Sequence, residues 1–148
     1  MSHAFPLSLT WQGNTLDPDF SRNAELSNPD HATIPVSSGP AYKGDPTRWN
    51  PEDLLGSALA TCHMLTFLAL ASKVRLEVQA YEDHAEAVME TVDKISRITE
   101  VRLRPTIRVA PGTDKAKVVE LFEKAHKYCI IANSVTCRAV MEPNVVEN

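Results

Sequence analysis

Residues 50–73 constrain the fold more than any other segment. Asn50-Pro51-Glu52-Asp53 is a complete helix start. Asn50 can cap orphan amides, Pro51 suits the first helical position, and two carboxylates meet the positive end of the helix dipole. The run that follows, Leu54 to Ala71 (LLGSALATCHMLTFLALA), is the most apolar in the chain. Leu55, Leu59, Cys62, Thr66 and Ala69 recur at spacings of three and four, one face of a helix ending near Ser72-Lys73. Leu54, Ala58, Leu65 and Leu68 widen the apolar surface, so the helix is expected to be covered on most sides. The run carries Ser57, Thr61, His63 and Thr66 and is shorter than the roughly 20 residues that a membrane span needs. It reads as the buried helix of a soluble protein with no membrane partner.

The flanking sequence supplies strands. Residues 5–11 (FPLSLTW) and 20–26 (FSRNAEL) read as the first two, with a short extended piece at His31–Pro35. Residues 27–51 form a long irregular stretch with five prolines, a length uncommon in a compact domain unless it shapes a site or an interface. Residues 74–89 alternate loosely and read as one long strand. Residues 95–109 alternate clearly, with Pro105 pointing to an edge position. Thr113 is expected to cap a second helix over 114–128, and 134–141 reads as a last strand. Strands segregated from helices imply an α+β fold with an antiparallel sheet. A long apolar helix that one small sheet cannot cover implies a partner subunit.

Length and charge narrow the function. The 148 residues suit a single domain over 1–148. A net charge of −4 argues against a dedicated nucleic-acid partner. No glycine-rich phosphate loop is present, and the N-terminus lacks the basic and apolar regions of a signal peptide. Three cysteines, Cys62, Cys129 and Cys137, are too few and too odd in number for a secreted disulfide framework. A reducing cytoplasm is expected, where such thiols are free, metal-bound or redox-active.

Cys62 lies mid-helix and Cys129 at the end of the second helix. If the helices pack together, the two sulfurs could approach and cycle between dithiol and disulfide. A lone cysteine on an apolar surface is otherwise a small buried hydrophobe, and that reading suits Cys137. A reactive thiolate needs a positive neighbour. Arg22, Arg48 and Lys43 lie in the irregular N-terminal third and could fold over the helix. Glu52 could orient such an arginine through a bidentate pair, or simply serve the helix dipole. Glu52 and Cys62 are ten positions apart, about 15 Å along one helix. Sharing one site therefore requires the glutamate of an antiparallel second copy. Zinc held by Cys62, His126 and Cys129 is the competing chemistry. The absence of a Cys-x-x-Cys motif and the divergence of adjacent Cys62 and His63 argue against it. His63, His84 and His126 read as partly buried or surface histidines. Leu55, Leu59, Phe67 and Phe122 read as core or as the lining of an apolar substrate channel.

The segment Asn50-Pro51-Glu52-Asp53-Leu54-Leu55, continuing through small and apolar residues to Cys62-His63, resembles the signature of the OsmC/Ohr family. Ala125-His126-Lys127-Tyr128-Cys129 is similar to the segment that carries the family's second cysteine. Gly44 to Glu52 and Ala80 to Asp83 resemble an OsmC-like subgroup. The resemblance implies an OsmC-like fold with a long central helix and a second helix in an intertwined homodimer. It also implies thiol-dependent reduction of organic hydroperoxides, with an external dithiol as reductant and no cofactor or metal. By position, Cys62 would be the peroxidatic thiol, Cys129 the resolving thiol, and Glu52 the active-site glutamate. Arg22 would be the active-site arginine, with Arg48 as the second choice. The family's second cysteine is commonly followed by proline; here Ile130-Ile131 follow. The alternative to an enzyme is a redox-sensing or small-molecule-binding dimer that uses the same pocket.

Overall fold

The expected helix start forms as a reciprocal cap. In this computed structural model, which describes residues 1–148, the Asn50 side chain accepts from the Asp53 amide at 2.8 Å, and the Asp53 carboxylate accepts from the Asn50 amide at 3.3 Å. From this cap α1 runs over Pro51–Lys73, 23 residues. By length and composition alone, α1 is long and apolar enough to cross a membrane. Its Leu59 and Phe67 instead belong to a protein core. The chain divides into two compact units, Met1–Leu54 and Leu55–Asn148.

In the first unit, β1 (Ser8–Thr10), β2 (Ala24–Asn28) and β3 (His31–Val36) form an antiparallel sheet in that order. The second strand starts later than its apolar residues suggest, because Phe20 is spent closing a turn onto the Asp17 carbonyl at 3.1 Å. The proline-rich stretch is ordered by its own hydrogen bonds. The Ser37 amide reaches the Trp49 carbonyl at 2.9 Å, and the Asp45 amide reaches Ser37 Oγ at 3.0 Å. Gly44 packs so tightly that a Cβ there would fall 1.5 Å from the Ser38 carbonyl oxygen. Only glycine fits this fold-back.

The second unit holds two three-stranded sheets. One has the order β4 (Val78–Asp83), β7 (Pro105–Val109), β9 (Asn144–Glu147). The other has the order β5 (Glu86–Val92), β6 (Ile95–Leu103), β8 (Arg138–Met141). Each of the two long strands expected from alternation is therefore two strands in different sheets. The breaks at 84–85 and at Arg104 lie together, joined by the Arg104 amide donating to the Asp83 carboxylate at 2.8 Å. Pro105 is not on an edge. It opens β7, the central strand of its sheet, where a first residue can lack an N–H without breaking the ladder. The β4–β7 and β5–β6 pairs are antiparallel as expected, whereas β6–β8 and β7–β9 are parallel. Parallel pairing needs a long crossover, and α2 (Lys115–Tyr128) lies in it.

Asp114, not Thr113, caps α2. Its carboxylate accepts from the Ala116 and Lys117 amides, while the Thr113 hydroxyl turns back to the Ala110 carbonyl. The core joins Leu59 and Phe67 of α1 to Val101, Leu103, Ile107 and Val109 of the sheets and to Val118, Phe122 and Ala125 of α2. The buried stripe of α1 is Gly56, Leu59, His63, Phe67 and Ala71, turned from the expected one toward the larger rings. The helix is not covered on most sides by its own chain. Only 28% of its apolar window is buried, and Leu65 is 56% exposed.

Candidate thiol site

Cys62 projects from α1 and Cys129 forms the C-cap of α2. The helices are locked by rings: His63 lies 4.4 Å and Phe67 5.7 Å from Phe122, centroid to centroid. This packing brings the Cys62 and Cys129 thiols close enough for each to influence the acidity of the other, and neither is in a disulfide. At Cys129 the backbone leaves the helix in an extended conformation (φ −69°, ψ 114°). Ile131 re-enters helical space, and a short 3-10 turn follows at Ala132–Ser134. The Ala132 amide donates to Cys129 Sγ at 3.4 Å. Asn133 clamps the turn, its side-chain amide donating to the Lys127 and Cys129 carbonyls at 3.0 and 2.9 Å.

The two thiols differ in acidity. Burial opposes ionisation of Cys62 and is its largest single influence. The Ile131 amide, the Cys129 thiol, the Ile130 amide and the Thr66 hydroxyl together outweigh it, so Cys62 lies below the ordinary thiol range. Burial pushes Cys129 up, and the neighbouring Cys62 adds to the rise despite help from the Ala132 amide. Burial also raises Cys137. The site thus pairs a thiol that ionises more readily than usual with one that ionises less readily.

The first unit holds the other candidates. Arg22 precedes β2, with its guanidinium stacked 3.8 Å over the Phe20 ring and donating to the Phe20 carbonyl. It borders a cavity of about 340 Å³ lined also by Ser21, Asn23, Lys43 and Asp45. Arg48 is committed to Glu25 at 3.1 Å and Asp45 at 3.7 Å, and donates to the Ala24 carbonyl. Glu52 sits in the first turn of α1, and its buried Oε2 has no hydrogen-bond partner. No ion pair joins Glu52 to Arg22.

Residues 44–144 match the family described as OsmC-like protein. The chain belongs to the OsmC-like family. Among curated relatives of this OsmC-like chain, the uncharacterised protein YmaD of Bacillus subtilis is 26% identical over 137 residues, covering 90% of this chain and 87% of the relative. An organic hydroperoxide resistance protein of Xanthomonas axonopodis pv. citri is 28% identical over 125 residues, covering 83% and 78%. An OsmC-like protein of unknown function from Vibrio cholerae superposes with a TM-score of 0.87 at 27% identity, covering 96% of this chain and 99% of that one. The organic hydroperoxide resistance protein OhrB of Bacillus subtilis shares the fold, with a TM-score of 0.67 at 19% identity, covering 96% and 98%.

Within this OsmC-like protein the structure brings Cys62 and Cys129 together. The largest influences on the acidity of Cys62 are burial and neutral hydrogen-bonding groups. Leu59, Phe67 and Phe122, weighed as core or channel, are fully buried core. His63 is also fully buried rather than partly so, while His84 is exposed. Burial, then the proximity of His126, lowers the His63 pKa to about 4. The sequence reading missed the Ala132 amide as a partner of Cys129 Sγ and the Ile130 and Ile131 amides as influences on the acidity of Cys62. Backbone donors carry no residue-type signature, so only the turn geometry reveals them.

Proposed function

We propose that this OsmC-like protein is a cysteine-based peroxidase that reduces organic hydroperoxides in the cytoplasm as a homodimer. The observation that carries the proposal is the asymmetric thiol pair: a Cys62 held below the ordinary thiol range beside a Cys129 pushed above it. The thiolate is the nucleophile, and the neighbouring Cys129 is the thiol that resolves its oxidation product.

The Cys62 thiolate attacks the terminal peroxide oxygen. The O–O bond breaks, the alkoxide takes a proton to leave as alcohol, and Cys62 becomes a sulfenic acid. Cys129 then attacks that sulfur, water leaves, and a disulfide joins Cys62 to Cys129. An external dithiol reduces the disulfide and restores both thiols. The chemistry calls for no metal, flavin or haem.

Arg22 is proposed to bind the peroxide and steady the thiolate, and Glu52 to orient Arg22. Glu52 has a buried carboxylate oxygen free to accept, and Arg22 has no carboxylate partner, unlike Arg48. The proposed second copy covers the exposed apolar surface of α1, including Leu65. It also supplies Glu52 and Arg22 to the Cys62 of its neighbour, since Glu52 and Cys62 are ten positions apart along α1, about 15 Å.

The experiment is consumption of tert-butyl hydroperoxide with a dithiol reductant by wild type, Cys62→Ser and Cys129→Ser. Wild type is expected to turn over, Cys62→Ser to be inactive, and Cys129→Ser to complete one oxidation and then stall at limiting thiol. Wild-type rates in Cys62→Ser would remove the mechanism. No consumption by wild type, with ready oxidation of the pair by one equivalent, would favour the redox sensor instead. Sedimentation at micromolar concentration is expected to return a dimer; an active monomer would contradict the shared site.

A further inference from the structure

We infer that Gly39 and Tyr42, on either side of the 3-10 turn ahead of α1, wall a seat beside the Glu52 carboxylate that receives the guanidinium of Arg22. Both are positioning residues, not catalytic ones. Their consequence for turnover rests on the peroxidase reading, whereas the seat itself can be tested without any peroxide.

Space, not backbone conformation, accounts for glycine at position 39. Its φ of −58° and ψ of 152° are open to any L residue. Beyond its chain neighbours, a Cβ there would meet two heavy atoms within 4 Å: Tyr42 Cδ2 at 3.7 Å and Glu52 Oε2 at 3.8 Å. Both are ordinary contact distances, so the missing side chain leaves room for a methyl group between an aromatic ring and a carboxylate. The same Oε2 is buried and accepts no hydrogen bond. A buried carboxylate oxygen in this position calls for a donor. A bare backbone and a ring beside it suit a planar guanidinium, which pairs with carboxylates and stacks on aromatic rings.

The seat is held by its own hydrogen bonds. The Tyr42 and Gly44 amides donate to the Gly39 carbonyl at 2.8 and 3.2 Å, and the Ser38 hydroxyl donates to the Tyr42 carbonyl at 3.0 Å. Glu52 is fixed in the first turn of α1, behind the Asn50 cap. Arg22 borders the same fold-back, on the cavity of about 340 Å³ that Lys43, Gly44 and Asp45 also line. Its guanidinium already stacks on one ring, 3.8 Å over Phe20. The competing groups are spent or unsuited. Asp45 accepts from the Thr47 amide and hydroxyl and pairs with Arg48, which also holds Glu25. Asp19, also on the cavity, is exposed to solvent. Lys43 carries a compact point charge without the planar fork.

The test uses the full chain carrying Arg22→Ala, with the Glu52 side-chain carboxyl followed by ¹³C NMR as methylguanidinium is added. A saturable shift of the Glu52 signal is expected. Adding Gly39→Ala is expected to abolish it, because the methyl group enters at ordinary contact distances and fills the seat. Tyr42→Leu is expected to weaken the binding about threefold, the loss of a partly exposed cation–π contact, and Tyr42→Phe to keep it. A flat Glu52 signal in Arg22→Ala, or a shift that survives Gly39→Ala, overturns the inference. In the otherwise wild-type chain, Gly39→Ala is expected to keep the thermal midpoint, since its backbone angles suit alanine. Its kcat/KM for tert-butyl hydroperoxide is expected to fall about tenfold, the loss of a charged hydrogen bond. Wild-type turnover in folded Gly39→Ala also overturns the inference, and if that variant does not fold, the Arg22→Ala titration and the Tyr42 variants decide. A Glu52 shift without hydroperoxide consumption by wild type would refute the peroxidase reading and leave the seat standing. Consumption with a flat Glu52 signal would do the reverse.

Discussion

Cys62 and Cys129 lie near each other where α1 packs on α2, and their surroundings make the first easier and the second harder to ionise. Cys62 lies within α1 and Cys129 caps the end of α2, 67 positions apart in the chain. The aromatic lock of His63, Phe67 and Phe122 joins the two helices, and burial and the turn after Cys129 together act on the acidities of the thiols.

The acidity difference is expected in site-resolved alkylation. The pH midpoint for Cys62 should lie below that of an unperturbed thiol, and those of Cys129 and Cys137 above it. Because the folded-state pKa of Cys62 is depressed, its ionisation adds stability above the unfolded pKa. That stability is lost as pH falls through the folded pKa. Peptide mass spectrometry after timed iodoacetamide pulses reads the three midpoints; identical midpoints would contradict the assignment.

Acid should weaken the fold through His63. Its pKa is lowered to about 4 by burial and by His126. The unfolded chain therefore binds a proton between about pH 6.5 and the folded pKa that the native chain refuses. Stability contributed by neutral His63 is present above the unfolded pKa and is lost as pH falls, by roughly 3 kcal/mol in all. Urea unfolding across this range should show the slope in wild type and a flatter one in His63→Leu. Equal slopes would show that His63 does not titrate in this window.

Phe122→Ala should cost about 3–5 kcal/mol, since the ring is fully buried and fills the space between α1 and α2. It should also slow disulfide formation between Cys62 and Cys129 by loosening the helix that carries Cys129. A loss below about 1 kcal/mol in denaturant unfolding would mean that the neighbouring side chains repack into the cavity.

Asp114→Ala should lower stability by about 1 kcal/mol through loss of the α2 N-cap. Thr113→Val should cost less, because its hydroxyl serves the preceding turn. Thermal unfolding of the two variants ranks the caps, and the reverse order would return the cap to Thr113.

What was legible in the sequence follows from how local each signal is. The cap at Asn50–Asp53 and both helices are written in adjacent residues. The strand breaks are hidden because Val101, Leu103, Pro105, Ile107 and Val109 keep one alternating phase and all are buried, so the pattern runs straight through the turn at Arg104. The parallel β6–β8 and β7–β9 pairings depend on where α2 returns the chain, which no short window contains. At the site, the cysteines stand out by residue type, and their contact follows if the two helices pack. The Ile130 and Ile131 amides have no such signature, because any residue except proline offers the same donor.

The central claim is that Cys62 and Cys129 act as one redox pair, and it is tested most directly by mass spectrometry of the intact protein after one equivalent of an organic hydroperoxide. The account predicts the loss of two hydrogens, mapped by peptide analysis to a bond between Cys62 and Cys129. Oxidation that bypasses Cys62, whether at Cys137 or at methionine, would contradict it.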